Sequence, residues 1–213
     1  MAHQGELFSA ASLDTLALER AAYSLGFNRI AGVDEVGRGP LAGPVMAAAV
    51  ILPVGMTING VDDSKKLSHS KRERMFDVIM NHALSVGIGS VSSTVIDQIN
   101  ILQATRLAML TAVLELGLQP DYLLIDGIST INSTIPQKTV KKGDSLSLSI
   151  AAASIIAKVT RDRLMVSMDR EYPGYGFAGH KGYGSAQHLE AIRLLGPSPI
   201  HRLTFGGVKE HVS

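Results

Sequence analysis

Hydrophobic and polar residues follow two different periods along the chain, and the switch between these periods predicts the secondary structure. Apolar positions at helical spacing predict helices over residues 12–25, 68–83, 94–117 and 149–169, with a shorter one over residues 185–195. Runs rich in Val, Ile and Ala predict strands over residues 29–36, 45–52, 84–91 and 122–126, and residues 128–140 have room for an edge strand. Strands that alternate with helices indicate an α/β fold.

Two of these segments have features that place them in the core. Residues 122–126 form a short apolar run between turn signals, as expected of a central strand that is buried on both faces. The start of the last long helix is crowded with small residues, which lets a helix lie close to a sheet. In the same helix Lys158 and Arg161 share one side, three positions apart.

Composition narrows the class of protein. The chain has 213 residues, of which 46% are hydrophobic and 18% charged, enough apolar material for one globular domain. It contains no cysteine, so any metal must be held by oxygen or imidazole ligands. The longest apolar run, residues 41–56, contains Pro44 and Pro53 and falls short of the roughly 20 residues of a membrane helix. We expect a monomeric, cytoplasmic protein that makes no contact with a membrane.

A small set of acidic residues carries the candidate chemistry. Asp34 and Glu35 end an apolar strand, Asp126 ends another, and Asp144 precedes a helix. Each alone also fits a turn, a strand end or a helix cap. If the four carboxylates met they would repel one another, and divalent cations remove that repulsion. An all-oxygen ligand set suits Mg²⁺ or Mn²⁺ rather than Zn²⁺, and carboxylates that hold such ions serve phosphodiester hydrolysis.

Two nucleotide-binding motifs are disfavoured. Gly37, Gly39 and Ala42 match the spacing of a dinucleotide fingerprint, but Pro40 and Pro44 lead into a second strand where that fingerprint requires a helix. The phosphate-binding loop of ATPases, Gly-x-x-x-x-Gly-Lys-Ser/Thr, does not occur in the sequence. Dehydrogenase and ATPase activities therefore fit the sequence poorly.

Several motifs, in order along nearly all of the chain after Arg29, resemble the bacterial ribonuclease HII family. The most specific is Asp-Glu-Val-Gly-Arg-Gly-Pro-Leu-Ala-Gly-Pro-Val at residues 34–45. The others are Asp-Ser-Lys-Lys-Leu at 63–67, Leu-Ile-Asp-Gly at 124–127, Lys-Gly-Asp at 142–144, Ala-Ala-Ala-Ser-Ile-Ile-Ala-Lys-Val-Thr-Arg-Asp at 151–162, His-Lys-Gly-Tyr-Gly at 180–184 and His-Arg-Leu-Thr-Phe at 201–205. Thr204 departs from the serine expected there but keeps the hydroxyl.

The resemblance implies a ribonuclease H-like mixed sheet flanked by helices, with a C-terminal helical extension. It also implies an endonuclease that cleaves the RNA strand of RNA/DNA hybrids and cuts 5′ of single ribonucleotides in duplex DNA, giving 3′-hydroxyl and 5′-phosphate ends. On this pattern we divide the chain into an N-terminal helical segment (residues 1–29), a catalytic domain (residues 30–170) and a C-terminal substrate-binding extension (residues 171–213).

The resemblance also assigns roles to individual residues. The family's catalytic, metal-binding acids correspond to Asp34, Glu35, Asp126 and Asp144. The loop that senses the 2′-hydroxyl of the ribonucleotide corresponds to Gly37, Arg38 and Gly39, and the tyrosine that packs on the neighbouring sugar corresponds to Tyr183. These roles agree with the residue types, because glycines allow close backbone approach and the 2′-hydroxyl is what distinguishes RNA from DNA.

Other residues are assigned less directly. The candidates for contacts to nucleic-acid phosphates are Lys65, Lys66, Lys181 and Arg202. His180, His188 and His201 have no assigned role. Two alternatives stay open at this point: a non-catalytic hybrid-binding protein on the same fold, and another nuclease of that fold, such as ribonuclease HIII or a DNA-junction resolvase. The segment before Arg29 is shorter than the extra N-terminal domain that we expect of ribonuclease HIII.

Overall fold

A mixed sheet runs through the protein in the computed structural model, which describes residues 14–58 and 67–212. Its strands in the described residues are β1 (Ile30–Val36), β2 (Val45–Ile51), β3 (Ser85–Val91), β4 (Tyr122–Asp126) and β5 (Gln137–Val140). They lie in the order β3-β2-β1-β4-β5, so β1 is the central strand. β2 is antiparallel to β1 and β3, whereas β4 is parallel to β1 and β5.

Helices flank this sheet, most of them started by a serine. In the described residues they are α1 (Ala17–Ser24), α2 (His69–His82), α3 (Ser93–Leu114), α4 (Leu148–Glu171), α5 (Phe177–His180) and α6 (Ala186–Leu195). The side chains of Ser68, Ser92, Ser147 and Ser185 each accept a backbone N–H from the first turn of a helix. Each serine thereby satisfies one of the N–H groups that a helix leaves unpaired.

The core has two layers, one on each face of the sheet. Along β2, Val45, Ala47, Ala49 and Ile51 pack towards α3, because successive side chains of a strand alternate between faces. Ala48 and Val50 point the other way, towards α4 and α2. The sheet flanked by helices on both faces confirms the predicted fold class.

Helix α4 lies in direct backbone contact with the central strand. A Cβ atom built on Gly32 of β1 would stand 2.1 Å from the carbonyl carbon of Ser149 and 2.3 Å from the backbone nitrogen of Ile150. The small side chains Ala151, Ala152 and Ala153 follow at the same helix start and are buried. This close approach brings α4 against the strand that carries Asp34 and Glu35.

The structure differs from the predicted helices at two places. Residue 100, inside the helix predicted over 94–117, is not helical: Asn100 has φ 66° and ψ 164°, and its side-chain oxygen accepts N–H bonds from Leu102 and Gln103. Asn100 therefore starts a second helix within α3. The four-residue helix α5 was not predicted, and the predicted start of the first helix at Ser12 lies outside the described residues. No helix of the described residues is long and apolar enough to span a bilayer.

We expect the variant Gly32→Ala to be less stable than the wild type by about 1–3 kcal/mol or more, because its methyl group meets backbone atoms that cannot rotate away. The measurement is the urea unfolding midpoint. Gly117→Ala is the matched control, since the nearest atom to a Cβ there, the Ser85 hydroxyl, stands 3.9 Å away. Equal midpoints for the two variants would contradict the close packing of α4 on β1.

Candidate active site

Parallel pairing of β1 with β4 brings the first acids together. The register pairs Val33 with Ile125, so the next residues, Asp34 and Asp126, lie side by side near the carboxyl ends of β1 and β4. The Asp126 carboxylate accepts the backbone N–H of Gly143 at 2.6 Å. This bond ties β4 to the 3₁₀ helix Gly143–Ser145, which is one turn long and whose middle residue is Asp144.

Three of the four predicted acids line an open cleft of about 440 Å³. The lining residues come from four elements and two loops: Asp34, Glu35, Val36, Gly37, Arg38, Gly39, Arg72, Asp126, Ser154, Lys158 and Tyr183. Asp144 is not among them: it is buried, with 5% of its surface exposed, and it follows Gly143, whose N–H donates to Asp126. Most of the predicted site residues therefore occupy one cleft, although the sequence separates them by up to about 150 positions.

Burial and mutual repulsion shape the electrostatics of these carboxyls. Burial raises the pKa of Asp34 well above its ordinary value, and the charges of Glu35 and Asp126 raise it further. Hydrogen bonds from the Ser154 hydroxyl and from the Glu35 N–H, at 2.7 Å, oppose that rise. Burial also raises the pKa of Glu35, against the lowering effect of Arg38, whose guanidinium lies 3.4 Å from the Glu35 carboxylate.

The cleft has the donor chemistry for a hard divalent cation. Asp34, Glu35 and Asp126 offer only oxygen ligands, and a bound cation would remove the repulsion that raises the pKa of Asp34. Within residues 14–58 and 67–212, however, no three His, Asp or Glu side chains are arranged as a metal-binding group. The acids share a cleft without forming a closed ligand set.

The loop that follows the acids is held by two buried arginines. This glycine loop (residues 37–44) joins β1 to β2. Arg161 of α4 is 0% exposed and donates to the carbonyl oxygens of Pro44 at 3.0 Å and Ala42 at 3.1 Å. Its third bond, of 2.9 Å, goes to the carbonyl of Lys181. Arg161 therefore ties the glycine loop to the segment that carries Tyr183.

Arg202 holds the other half of the glycine loop. It is 0% exposed, and its guanidinium donates to the carbonyl oxygens of Gly37 at 2.5 Å, Arg38 at 2.8 Å and Gly43 at 3.0–3.1 Å. Burial, with a smaller effect of Arg161, lowers the pKa of Arg202 to about 9. A fully buried guanidinium engaged with backbone carbonyls does not fit the phosphate contact predicted for Arg202.

The segment after Arg202 is held from α3. The Asp97 carboxylate accepts the backbone N–H groups of Leu203 and Thr204, and the Thr204 hydroxyl at 2.5 Å. Thr204 stands where serine was expected, and this bond needs only the hydroxyl that both residues carry. Asp97 thus fixes the chain beside Arg202.

The remaining predicted residues lie at the rim or outside the described structure. Tyr183 is 44% exposed, and a Cβ atom built on Gly39 would stand 3.8 Å from its ring. Lys181 is partly buried, and its ammonium donates to the carbonyl of Ala178. Lys65 and Lys66 lie outside the described residues.

Sequence reasoning missed several residues of the site. Ser154 and Lys158 of α4 and Arg72 of α2 line the cleft. Arg161 does not line it but bonds to the glycine loop, through the carbonyl of Ala42. Two of the four gave a signal: Lys158 and Arg161 are charges on one side of a helix that is otherwise crowded with small and apolar residues. In such a helix a charged side chain needs a specific partner.

Comparisons with known proteins agree with this geometry. A family model described as Ribonuclease HII matches residues 31–208. A ribonuclease HII from Geobacter metallireducens is 66% identical over 188 residues, which cover 88% of each chain. One from Pelobacter propionicus is 65% identical over 210 residues, which cover 99% of this chain and 96% of that protein. The crystal structure of ribonuclease H2 from Pyrococcus horikoshii OT3 matches with a TM-score of 0.71 and 26% identity, covering 86% of this chain and 96% of that one.

The strand order, the acids at two adjacent strand ends and the structural match define the class as nucleases of the ribonuclease H-like fold. The chain belongs to the ribonuclease HII family. It is a ribonuclease H, a metal-dependent endonuclease that acts on RNA/DNA substrates, as the sequence motifs predicted. The sequence left two other nucleases open, ribonuclease HIII and a DNA-junction resolvase. The family assignment supports ribonuclease HII instead.

We expect Arg202→Met to destabilise the fold by about 2–5 kcal/mol, because it leaves the inward carbonyls of Gly37, Arg38 and Gly43 without their donors. Chemical denaturation measures the loss. Arg193→Met is the control, since Arg193 is exposed and pairs only with the exposed Glu190 of its own helix. A loss no larger than that of the control would show that the glycine loop does not depend on Arg202.

Proposed function

We propose that this chain cleaves the RNA strand of RNA/DNA hybrids and nicks duplex DNA on the 5′ side of a single ribonucleotide, leaving 3′-hydroxyl and 5′-phosphate ends. The observation that carries the proposal is the position of the glycine loop and Tyr183 on the rim of the acid-lined cleft. One opening thus combines groups for hydrolysis with groups that can read a sugar. The substrate would be bound by a monomer in the cytoplasm.

The acids supply the hydrolytic half. We assign Asp34, Glu35, Asp126 and Asp144 as the residues that hold Mn²⁺ or Mg²⁺. The chemistry such ions supply is activation of a water molecule and stabilisation of the leaving oxygen. Hydrogen bonds from Ser154 to Asp34 and from Gly143 to Asp126 orient the carboxylates beforehand.

The glycine loop supplies the sugar-reading half. Arg202 holds the carbonyls of Gly37 and Arg38 inward. Because the C=O and N–H of a trans peptide point in opposite directions, the N–H groups of Arg38 and Gly39 face away from Arg202, and we infer that they face the cleft that these residues line. Backbone donors on glycine-flanked positions can approach a 2′-hydroxyl closely, and the exposed ring of Tyr183 offers a flat surface to the adjoining sugar.

Basic side chains would position the duplex without reading its sequence. Lys158 and Arg72 bring positive charge into the cleft beside the acids, where a scissile phosphate would lie. Lys65, Lys66 and Lys181 stay proposed phosphate contacts. In this scheme residues 171–213 act as the substrate-binding extension, because Tyr183 and Lys181 belong to them.

We expect Asp126→Asn to lose at least about 100-fold in cleavage, because it removes a charge from the metal-holding set. The fold should persist, since the Asn oxygen can still accept the Gly143 N–H.

The assay incubates a duplex with one ribonucleotide and an all-DNA duplex with Mn²⁺, Mg²⁺ or chelator, and fluorescence anisotropy measures binding. Asp121→Asn, at the opposite end of β4, is the control. Near-normal nicking by Asp126→Asn would refute the site assignment, and wild-type binding without nicking would favour a non-catalytic protein.

We expect Gly39→Ala to fold normally, with stability within about 0.5 kcal/mol of the wild type, because its methyl would meet the Tyr183 ring only at ordinary contact distance. Cleavage at a single ribonucleotide should fall about tenfold or more, since the methyl occupies the space between the loop and Tyr183. Steady-state cleavage rates test this, with Gly206→Ala, which meets nothing within 4 Å, as control. Unchanged discrimination between RNA and DNA in Gly39→Ala would contradict the reading of the 2′-hydroxyl by this loop.

A further inference from the structure

Three histidines gather beneath Tyr183, outside the cleft. His188 of α6 and His201 are buried, at 0% and 2% exposure, and their Nε2 atoms lie 3.0 Å apart. The ring of His180 stacks on that of His188 with centroids 4.3 Å apart. Buried imidazoles in such contact need a defined set of donors and acceptors, because each neutral ring has one of each.

The proton positions of His201 and His188 follow from one residue, Ser198. The Ser198 N–H donates to His201 Nδ1 at 2.8 Å, so that nitrogen carries a lone pair and the proton of neutral His201 is on Nε2. His201 Nε2–H then donates to His188 Nε2, which leaves the proton of His188 on Nδ1. His188 Nδ1–H donates to the carbonyl oxygen of Tyr183 at 2.9 Å. We call this series Ser198, His201, His188 and Tyr183 the histidine chain.

His180 is fixed in the same way from the other side. Its Nδ1 accepts the Gly182 N–H at 3.2 Å, so its Nε2 carries the proton and donates to the Tyr175 carbonyl at 2.8 Å. Its own carbonyl accepts the Tyr183 N–H at 3.0 Å. Burial lowers the pKa of His188 and of His201 to about 4, which keeps both rings neutral near pH 7.

The backbone that these histidines hold is unusual. Lys181 and Gly182 both have positive φ, of 53° and 84°, and a side chain at Gly182 would collide with the Ala42 carbonyl at 2.5 Å. A non-glycine residue in the left-handed region persists only where its surroundings hold it. Here the Leu41 N–H donates to the Gly182 carbonyl, so the turn that presents Tyr183 is fixed peptide by peptide.

We propose that His188, oriented by His201, is a positioning residue for Tyr183: it holds the Tyr183 carbonyl so that the ring stands at the cleft rim opposite Gly39. This inference rests on the proposed function and deepens it, because it names what sets the sugar-contacting ring in place. The buried, fully engaged nitrogens of both histidines leave neither of them available to contact substrate or metal.

The first test compares His188→Asn with His188→Leu. The Asn amide can place a donor where Nδ1 stands, whereas Leu fills similar space without one. Cleavage at a single ribonucleotide should fall about tenfold in His188→Leu and recover most of that loss in His188→Asn. His82→Leu, on the exposed face of α2, is the control and should cleave like the wild type. Equal losses in Asn and Leu would overturn the role of the Nδ1 donor.

The second test asks whether His188 acts through Tyr183. In a double-mutant cycle, His188→Leu should lower the cleavage rate less than about twofold when Tyr183→Ala is already present. The reason is that His188 acts by positioning the Tyr183 ring, which the second substitution has removed. Independent, multiplicative losses would show a general structural role and overturn the proposal, as would a Tyr183→Ala variant that cleaves like the wild type. A wild type that nicks no ribonucleotide-containing duplex would instead refute the proposed function, and the positioning role with it.

The third test reads the histidine chain without an activity assay. ¹⁵N-labelled histidine NMR of the full chain distinguishes protonated from unprotonated ring nitrogens. We expect the proton of His201 on Nε2 and that of His188 on Nδ1 at pH 7. The opposite tautomer of either ring would break the chain at Ser198 or at Tyr183 and overturn the inference even if the enzyme is active.

Discussion

The guanidinium groups of Arg161 and Arg202 are both removed from solvent, and the geometry of the glycine loop depends on how their N–H donors are satisfied. Burying a guanidinium costs several kcal/mol unless its N–H donors find partners. Here the partners are backbone carbonyls of the glycine loop and of Lys181 rather than carboxylates. The loop has little freedom to move, because any shift would leave a buried charge unpaired. A loop rich in glycine, which would otherwise be mobile, is in this way held in one conformation.

The acids of the cleft are arranged differently, since burial raises the pKa of both Asp34 and Glu35. The charges of Glu35 and Asp126 raise the pKa of Asp34 further, whereas Arg38 lowers that of Glu35. A cluster of like charges stays in a folded protein when a ligand supplies the missing charge. The buried guanidinium groups thus engage the glycine loop, and the acids are the groups that we propose for binding a cation from solution.

The sequence predicted the sheet and the flanking helices, because both depend on local periodicity. It also singled out four acids, of which the structure brings Asp34, Glu35 and Asp126 to one cleft. It did not predict the break at Asn100, since the apolar spacing continues through it and only the capping side chain shows it. The phosphate contact predicted for Arg202 does not fit its burial, for a similar reason. Neighbouring residues cannot show that a charged side chain is enclosed by carbonyls from a loop more than 150 positions earlier.

Helix α4 connects the two halves of the site through one face. Ser154, Lys158, Arg161 and Met165 recur at intervals of three or four residues and so point to one side. Ser154 bonds to Asp34, Lys158 lines the cleft and Arg161 holds the glycine loop. Met165 closes the row, since its side chain packs against Gly43 and Gly182. Because α4 lies in backbone contact with β1 at Gly32, packing joins the strand that carries two acids to the helix whose Arg161 holds the glycine loop. Helix packing therefore sets the spacing between the acids and the glycine loop, and the small residues at the start of α4 allow that close packing.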